Sequence, residues 1–138
     1  MKQTTGVQAV RNYSPAYEYL RRHISEKSKS DTQICRASGI NTSILSKIKY
    51  DQKNRIDLRI YVSICAGVNF SPSRSLKFLE AAGYNLQEDI WEDFCYLEII
   101  DHYAEKGGIE ACNAKLKELG MPASGYLGSQ DRNFKNRK

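Results

Sequence analysis

The chain has 138 residues, 41% of them apolar and 27% charged, enough for one domain, or a small domain with an appendage, around a single modest core. No apolar run is long enough to cross a bilayer, and the first residues lack the apolar centre of a secretory leader, so a cytoplasmic place without membrane contact is expected. The net charge of +5 is unevenly spread: residues 1–84 hold 14 Lys and Arg against 6 Asp and Glu, whereas residues 85–121 hold 3 against 9. A basic part suited to a polyanion and an acidic part with another task are implied.

In chain order, residues 1–15 lack periodicity and read as a flexible arm carrying Lys2 and Arg11. From Ala16 the spacing of Tyr17, Leu20 and Ile24 predicts a helix to about Lys27. Ser30 with Gln33 three residues on forms a capping box, opening a second helix over Asp31–Ser38. Gly39 ends it, and Asn41 is a suitable cap for a third helix over Thr42–Lys49. After the polar stretch 50–55, Asp57 is the expected cap of a fourth helix bearing Leu58, Tyr61, Val62 and Cys65. Ser71-Pro72 opens a fifth, with Leu76, Phe78 and Leu79, which Gly83 stops.

Five short helices without any alternating strand pattern predict an all-α module over residues 16–84. Asn85 and Glu88 resemble another capping box, leading into a sixth helix with Ile90, Trp91, Phe94, Leu97 and Ile100, broken at Gly107-Gly108. Ile109, Cys112, Leu116 and Leu119 then mark a seventh amphipathic helix closed by Gly120 and Pro122. These two helices make residues 85–122 an acidic extension, and residues 123–138 read as a basic flexible tail. Trp91, Phe94, Leu97 and Tyr103 read first as core and second as a dimer surface.

No constellation of nucleophile, base and orienting group is spaced for catalysis, so no enzyme is expected. The four cysteines lack metal-ligand spacing, and each falls in an apolar helical pattern, which makes them buried thiols of a reducing compartment. Glu88-Asp89 and Glu92-Asp93 read as a solvated acidic face in preference to a cation site. Neither a metal nor a cofactor is therefore called for.

The stretch 33-QICRASGINTSILSKI-48 meets the steric demands of a helix-turn-helix. Cys35 is small where a second helix crosses, Gly39 tolerates positive φ at the turn, and Ile40, Leu45 and Ile48 are apolar where the angle must be held. The remaining positions of the third helix are polar or basic.

With five helices around it, this stretch resembles the phage repressor and Cro family of XRE-type regulators, over about residues 17–84. In weaker form the likeness extends to small bacterial regulators with an AGY, here Ala82-Gly83-Tyr84, then an acidic helix and a closing helix with an Asn near its start, here Asn113. The resemblance implies a lambda-repressor-like five-helix bundle plus two C-terminal helices. It implies double-stranded DNA as partner, bound by a homodimer with the third helix in the major groove.

On that likeness Thr42, Ser43 and Lys47 match base-reading positions, with Ser46 beside them, and Lys47 suits guanine O6 or N7. Lys53 and Arg55 fall where phosphates are held, and Asn54 reaches either class of contact; Asn41 and Lys49 complete the phosphate set. Two positions depart from the family pattern. Asp31 stands where a phosphate-holding glutamine is common, and Lys49-Tyr50 replaces an acidic residue and a glycine, removing a familiar internal ion pair.

Two functions follow. One is a sequence-specific DNA-binding transcriptional regulator, a dimeric repressor; the other is a protein-interaction module, adaptor, antitoxin-like or inhibitor, meeting its partner through the third helix or through helices six and seven.

Overall fold

Helices account for every regular element among residues 13–24, 30–50 and 56–128, which the computed structural model describes. In chain order they are α1 (Pro15–His23), α2 (Asp31–Ser38), α3 (Thr42–Tyr50), α4 (Leu58–Gly67), α5 (Pro72–Ala81), α6 (Trp91–His102) and α7 (Ala104–Leu119), with a 3-10 turn at Ala123–Gly125. The protein is all-α. No helix among the described residues is long and apolar enough to cross a membrane.

The centre of the fold is α4, in which every residue from Ile60 to Gly67 is buried. A helix apolar on all sides has to be covered on all sides, and α2, α5, α6 and α7 pack around it. Ile64, fully buried there, would cost about 2–5 kcal/mol if cut to Ala. One apolar cluster runs from Ala16 to Leu127 and includes Tyr96, Ile99, Ile100, Cys112 and Leu116 of the last two helices. All four cysteines are buried and unbridged.

Local signals place most helix starts. Ser14 and Ser71 accept from the backbone N–H of Tyr17 and Arg74, each followed by proline at the first helical position. Ser30 and Gln33 make both bonds of the capping box. Asp57 occupies the cap position of α4 but its side chain makes no cap bond, contrary to the sequence expectation.

Several expected boundaries move. α1 stops at His23, because Ile24 turns to extended backbone (φ −75°, ψ 160°) and lines a groove with Val68 and Phe70; residues 25–29 lie outside the described set. The expected box of Asn85 and Glu88 does not start α6. That helix opens six residues later, at Trp91, and the backbone N–H of Gln87 donates instead to the Asp93 carboxylate at 3.0 Å. α6 ends at His102, and the expected glycine break falls inside α7, where Gly108 takes φ 70°, ψ −163°.

The core face of α6 also differs from the expected one. Cys95, Tyr96, Ile99 and Ile100 point inward, whereas Trp91 and Phe94 are 51% and 42% exposed; on α5, Leu76 likewise faces outward at 40%. Both arrangements of α6 satisfy a helical period, and α4 and α7 decide which stripe is covered.

Residues 123–128 are not part of a loose tail. Tyr96 Oη donates to the Gly125 carbonyl at 2.8 Å, and Asn113 grips Leu127 with both ends of its amide: Nδ2 donates to the Leu127 carbonyl (3.1 Å) and Oδ1 accepts from its N–H (2.7 Å). Leu127 is buried, and the N–H of Gly128 reaches Ser63 Oγ on α4 at 2.9 Å. Polar satisfaction of a buried backbone thus gives Asn113 its role.

Candidate nucleic-acid interface

The turn between α2 and α3 is set by Gly39, in the left-handed conformation at φ 71°, ψ 27°. Its N–H and that of Ile40 return to the carbonyls of Arg36 and Cys35, which closes α2. A side chain at Gly39 is excluded twice, since a Cβ there would also stand 2.9 Å from Gly128 Cα. α4 crosses α2 closely at Ser38, where a Cβ on Gly67 of α4 would come 2.8 Å from the Ser38 Cα. The small residue that matters at this crossing is Gly67, which the motif alone does not reveal.

α3 is held at both ends by side chains. At its start Asn41 Oδ1 accepts from the Ile44 N–H and from Ser43 Oγ, both at 2.9 Å. At its end Ser14 supplies two donors: its N–H bonds the Lys49 carbonyl at 2.8 Å and its hydroxyl bonds the Ile48 carbonyl. Ser14 therefore caps α1 and closes α3 at once, and it is buried. Helix-end carbonyls otherwise left open are satisfied in this way.

Leu45 and Ile48 turn into the core, as expected, and Ile40 is buried beside them. Thr42, Ser43, Ser46 and Lys47 all lie exposed on the outer face, two pairs one helical turn apart. The Ser43 proton is committed to Asn41, so this hydroxyl offers its acceptor side. The Asn41 oxygen is likewise spent on the cap, and only the donor end of its amide is left for an anion. Lys53, Asn54 and Arg55 lie outside the described residues.

Lys49 departs from its expected phosphate role. Its Nζ forms an ion pair with Asp31 Oδ2 at 2.7 Å, while Tyr17 Oη donates to Asp31 Oδ1 at 2.9 Å. In place of the pair that an acidic residue at position 49 would make, Lys49 on α3 forms a different internal ion pair, with Asp31 on α2. Asp31 is thus neutralised within the fold and does not face outward as a bare charge.

Electrostatics follow from that contact. Burial pushes the Asp31 carboxyl up, but the hydrogen bonds from Lys49 and Tyr17 and the charges of Lys49 and Arg21 outweigh it, leaving the group below its ordinary value. The hydrogen bond to Asp31 raises Lys49. Burial, then the bond to Asp31, pushes the Tyr17 phenol up to about 12.

An aromatic feature at the end of α3 escapes the sequence reading. Tyr50 is 41% exposed, its ring centroid 5.6 Å from that of Tyr13, and Lys49 Nζ lies 5.5 Å from it. Tyr13 in turn packs edge-on to Tyr17 at 4.9 Å. A tyrosine cluster beside a polar helix face suits hydroxyl contact with a sugar-phosphate backbone. Its signal was three tyrosines at positions 13, 17 and 50, unreadable until α1 and α3 are placed together.

Among the described residues no group of three or more His, Cys, Asp or Glu is arranged to hold a metal ion. No family model, curated protein or solved structure matches the chain.

Proposed function

We propose that the protein is a DNA-binding transcriptional regulator of the phage repressor and Cro type, lambda-repressor-like in its first five helices, that sets α3 in the major groove. The observation that carries this reading is α3 itself: it is tied down at both ends by Asn41 and Ser14, with Thr42, Ser43, Ser46 and Lys47 exposed on one face. A rigid helix presenting small hydroxyls and one lysine matches what direct readout requires. Lys47 donates to guanine, the hydroxyls discriminate weakly, and Lys53, Arg55 and Asn41 meet phosphates. Occupying an operator makes it a repressor.

The pairing surface of the homodimer is assigned to the start of α6, where the cap residue Ile90 and the helical Trp91 and Phe94 are exposed. Salt titration of binding to a selected duplex tests the reading. If about six phosphates are engaged, affinity falls roughly a thousandfold between about 50 and about 200 mM salt. Lys47→Ala lowers affinity about tenfold or more and relaxes preference at one base pair, with helicity unchanged. A flat salt response, or failure of any duplex to be enriched from a random pool, refutes it.

One observation favours a second reading, a protein-interaction module. The exposed Ile90, Trp91 and Phe94 sit among Glu88, Asp89 and Glu92, an apolar centre with a charged rim such as protein interfaces use. Loss of the biological effect on changing these residues, with Lys47→Ala silent, selects it.

A further inference from the structure

A cleft of about 330 Å³ opens where the start of α4 faces α6, walled by Asp57, Arg59, Tyr84, Glu92, Tyr96 and Ser124. The first five helices and their ends supply Asp57, Arg59 and Tyr84. Glu92 and Tyr96 come from α6, one helical turn apart, and Ser124 from the 3-10 turn. The volume lies at the small end of ligand pockets, which span about 300–1,000 Å³.

Arg59 is the group that the fold leaves unsatisfied. Its Nη1 is shut off from solvent yet has no hydrogen-bond partner, and no ion pair among the described residues includes it. A buried charged donor without an acceptor is costlier than a neutral one. The long side chain can turn that nitrogen to an acceptor in the cleft without breaking a bond already made, and its planar fork matches a carboxylate. Asp57 and Glu92 are exposed and uncommitted as well: Asp57 makes no cap bond to α4, and neither carboxylate joins an ion pair among the described residues.

All three charges are felt at one atom. Burial and then Glu92 push the Tyr96 phenol above its ordinary value, Arg59 opposes them, and Asp57 adds a smaller push. The Tyr96 hydroxyl donates to the Gly125 carbonyl, so it keeps only its acceptor side. Two carboxylates against one guanidinium decide the charge of an occupant. A simple anion meets a net negative wall, a simple cation leaves Arg59 without an acceptor, and a molecule bearing both charges satisfies each.

We propose that this cleft binds a free amino acid, its carboxylate on Arg59 and its ammonium between Asp57 and Glu92. The site goes beyond the DNA-binding reading and does not depend on it. Because both parts of the chain wall the cleft, an occupant ties the start of α4 to α6.

The test screens the full chain by thermal unfolding against the standard α-amino acids, β-alanine and γ-aminobutyrate, each alone. A ligand at about one hundred times its Kd raises the midpoint by about 5–10 °C. A hit is then titrated calorimetrically beside its primary amide, which lacks the carboxylate, and its N-acetyl form, which lacks the ammonium. Both are expected to bind about tenfold more weakly or worse. Arg59→Gln removes the preference for the acid over the amide, and Glu92→Gln the preference for the free over the acetylated amine, which a merely structural role would not do. Glu92 is exposed, so its variant keeps the fold even if Arg59→Gln does not. Asp101→Asn, exposed on α6 away from the cleft, leaves binding unchanged.

A midpoint that no amino acid moves overturns the proposal. So does a hit that binds equally well as its amide or N-acetyl form, or one whose affinity and preferences Glu92→Gln leaves intact.

Discussion

Gly39→Ala is the change whose cost can be worked most directly from the structure. At φ 71° an alanine in the left-handed region loses about 1–2 kcal/mol relative to glycine. The new methyl would stand 2.9 Å from Gly128 Cα and 3.4 Å from Gly128 O. Both are backbone atoms and cannot swing aside, so the turn must open or residues 126–128 must lift from Ser63 and Asn113. Overpacking of this kind costs about 1–3 kcal/mol, for a total of about 2–5 kcal/mol out of a typical stability of about 5–15. Urea unfolding followed by far-UV circular dichroism measures it; with a slope of about 2 kcal/mol per molar, the midpoint falls by about 1–2.5 M. In a chain ended after Leu127 the clash with Gly128 is absent, and the same substitution should lose only the backbone part, about 1–2 kcal/mol. Asn tolerates the left-handed conformation but keeps a Cβ, so Gly39→Asn isolates the clash. The reasoning is refuted if Gly39→Ala costs under about 0.5 kcal/mol, or costs the same in both chains.

Further outcomes can be checked on the same protein. Asp31→Asn should lose about 1–2 kcal/mol, between the value of an exposed pair and that of a charge-assisted hydrogen bond, because Lys49 and Tyr17 both lean on this half-buried carboxylate. With the Asp31 carboxyl depressed, its contribution is whole above about pH 4 and is lost as pH falls through its lower folded value; with Lys49 and Tyr17 raised, theirs are whole below about pH 10 and are lost above it. Asp31→Asn should therefore flatten the acid limb of a stability-against-pH curve, and an unchanged limb contradicts the assignment. On the proposed pairing through α6, the parent sediments as a dimer and Trp91→Ser with Phe94→Ser should convert it to monomer in analytical ultracentrifugation without loss of helicity; a monomeric parent or an unaltered dimer refutes that pairing face. Burial pushes the Cys65 and Cys112 thiols up to about 12, so neither should react with a thiol reagent near neutral pH until the protein unfolds, and fast native labelling of either would be decisive against the fold.

Sequence by itself determined whatever is local. The capping box of Ser30 and Gln33, Ser71-Pro72 at the start of α5, the left-handed Gly39 and the burial of Leu45 and Ile48 all rest on relations within a few residues, and all appear where the pattern puts them. The exposed face of Thr42, Ser43, Ser46 and Lys47 was legible for the same reason, since one helical turn relates its members. Tertiary structure decided whatever depends on partners distant in the chain. Which stripe of α6 is buried was open because two stripes are apolar, and only packing on α4 and α7 selects Tyr96 and Ile99 over Trp91 and Phe94. Lys49 changed from an outward charge to a partner of Asp31, 18 positions away, and Ser14 came to hold the carbonyl of Ile48, 34 positions on, in the last turn of α3. Residues 123–128 look like any polar tail until Asn113 and Ser63 are seen to satisfy their backbone. A single buried N–H must find its acceptor somewhere in the fold, and no periodicity in the sequence says where.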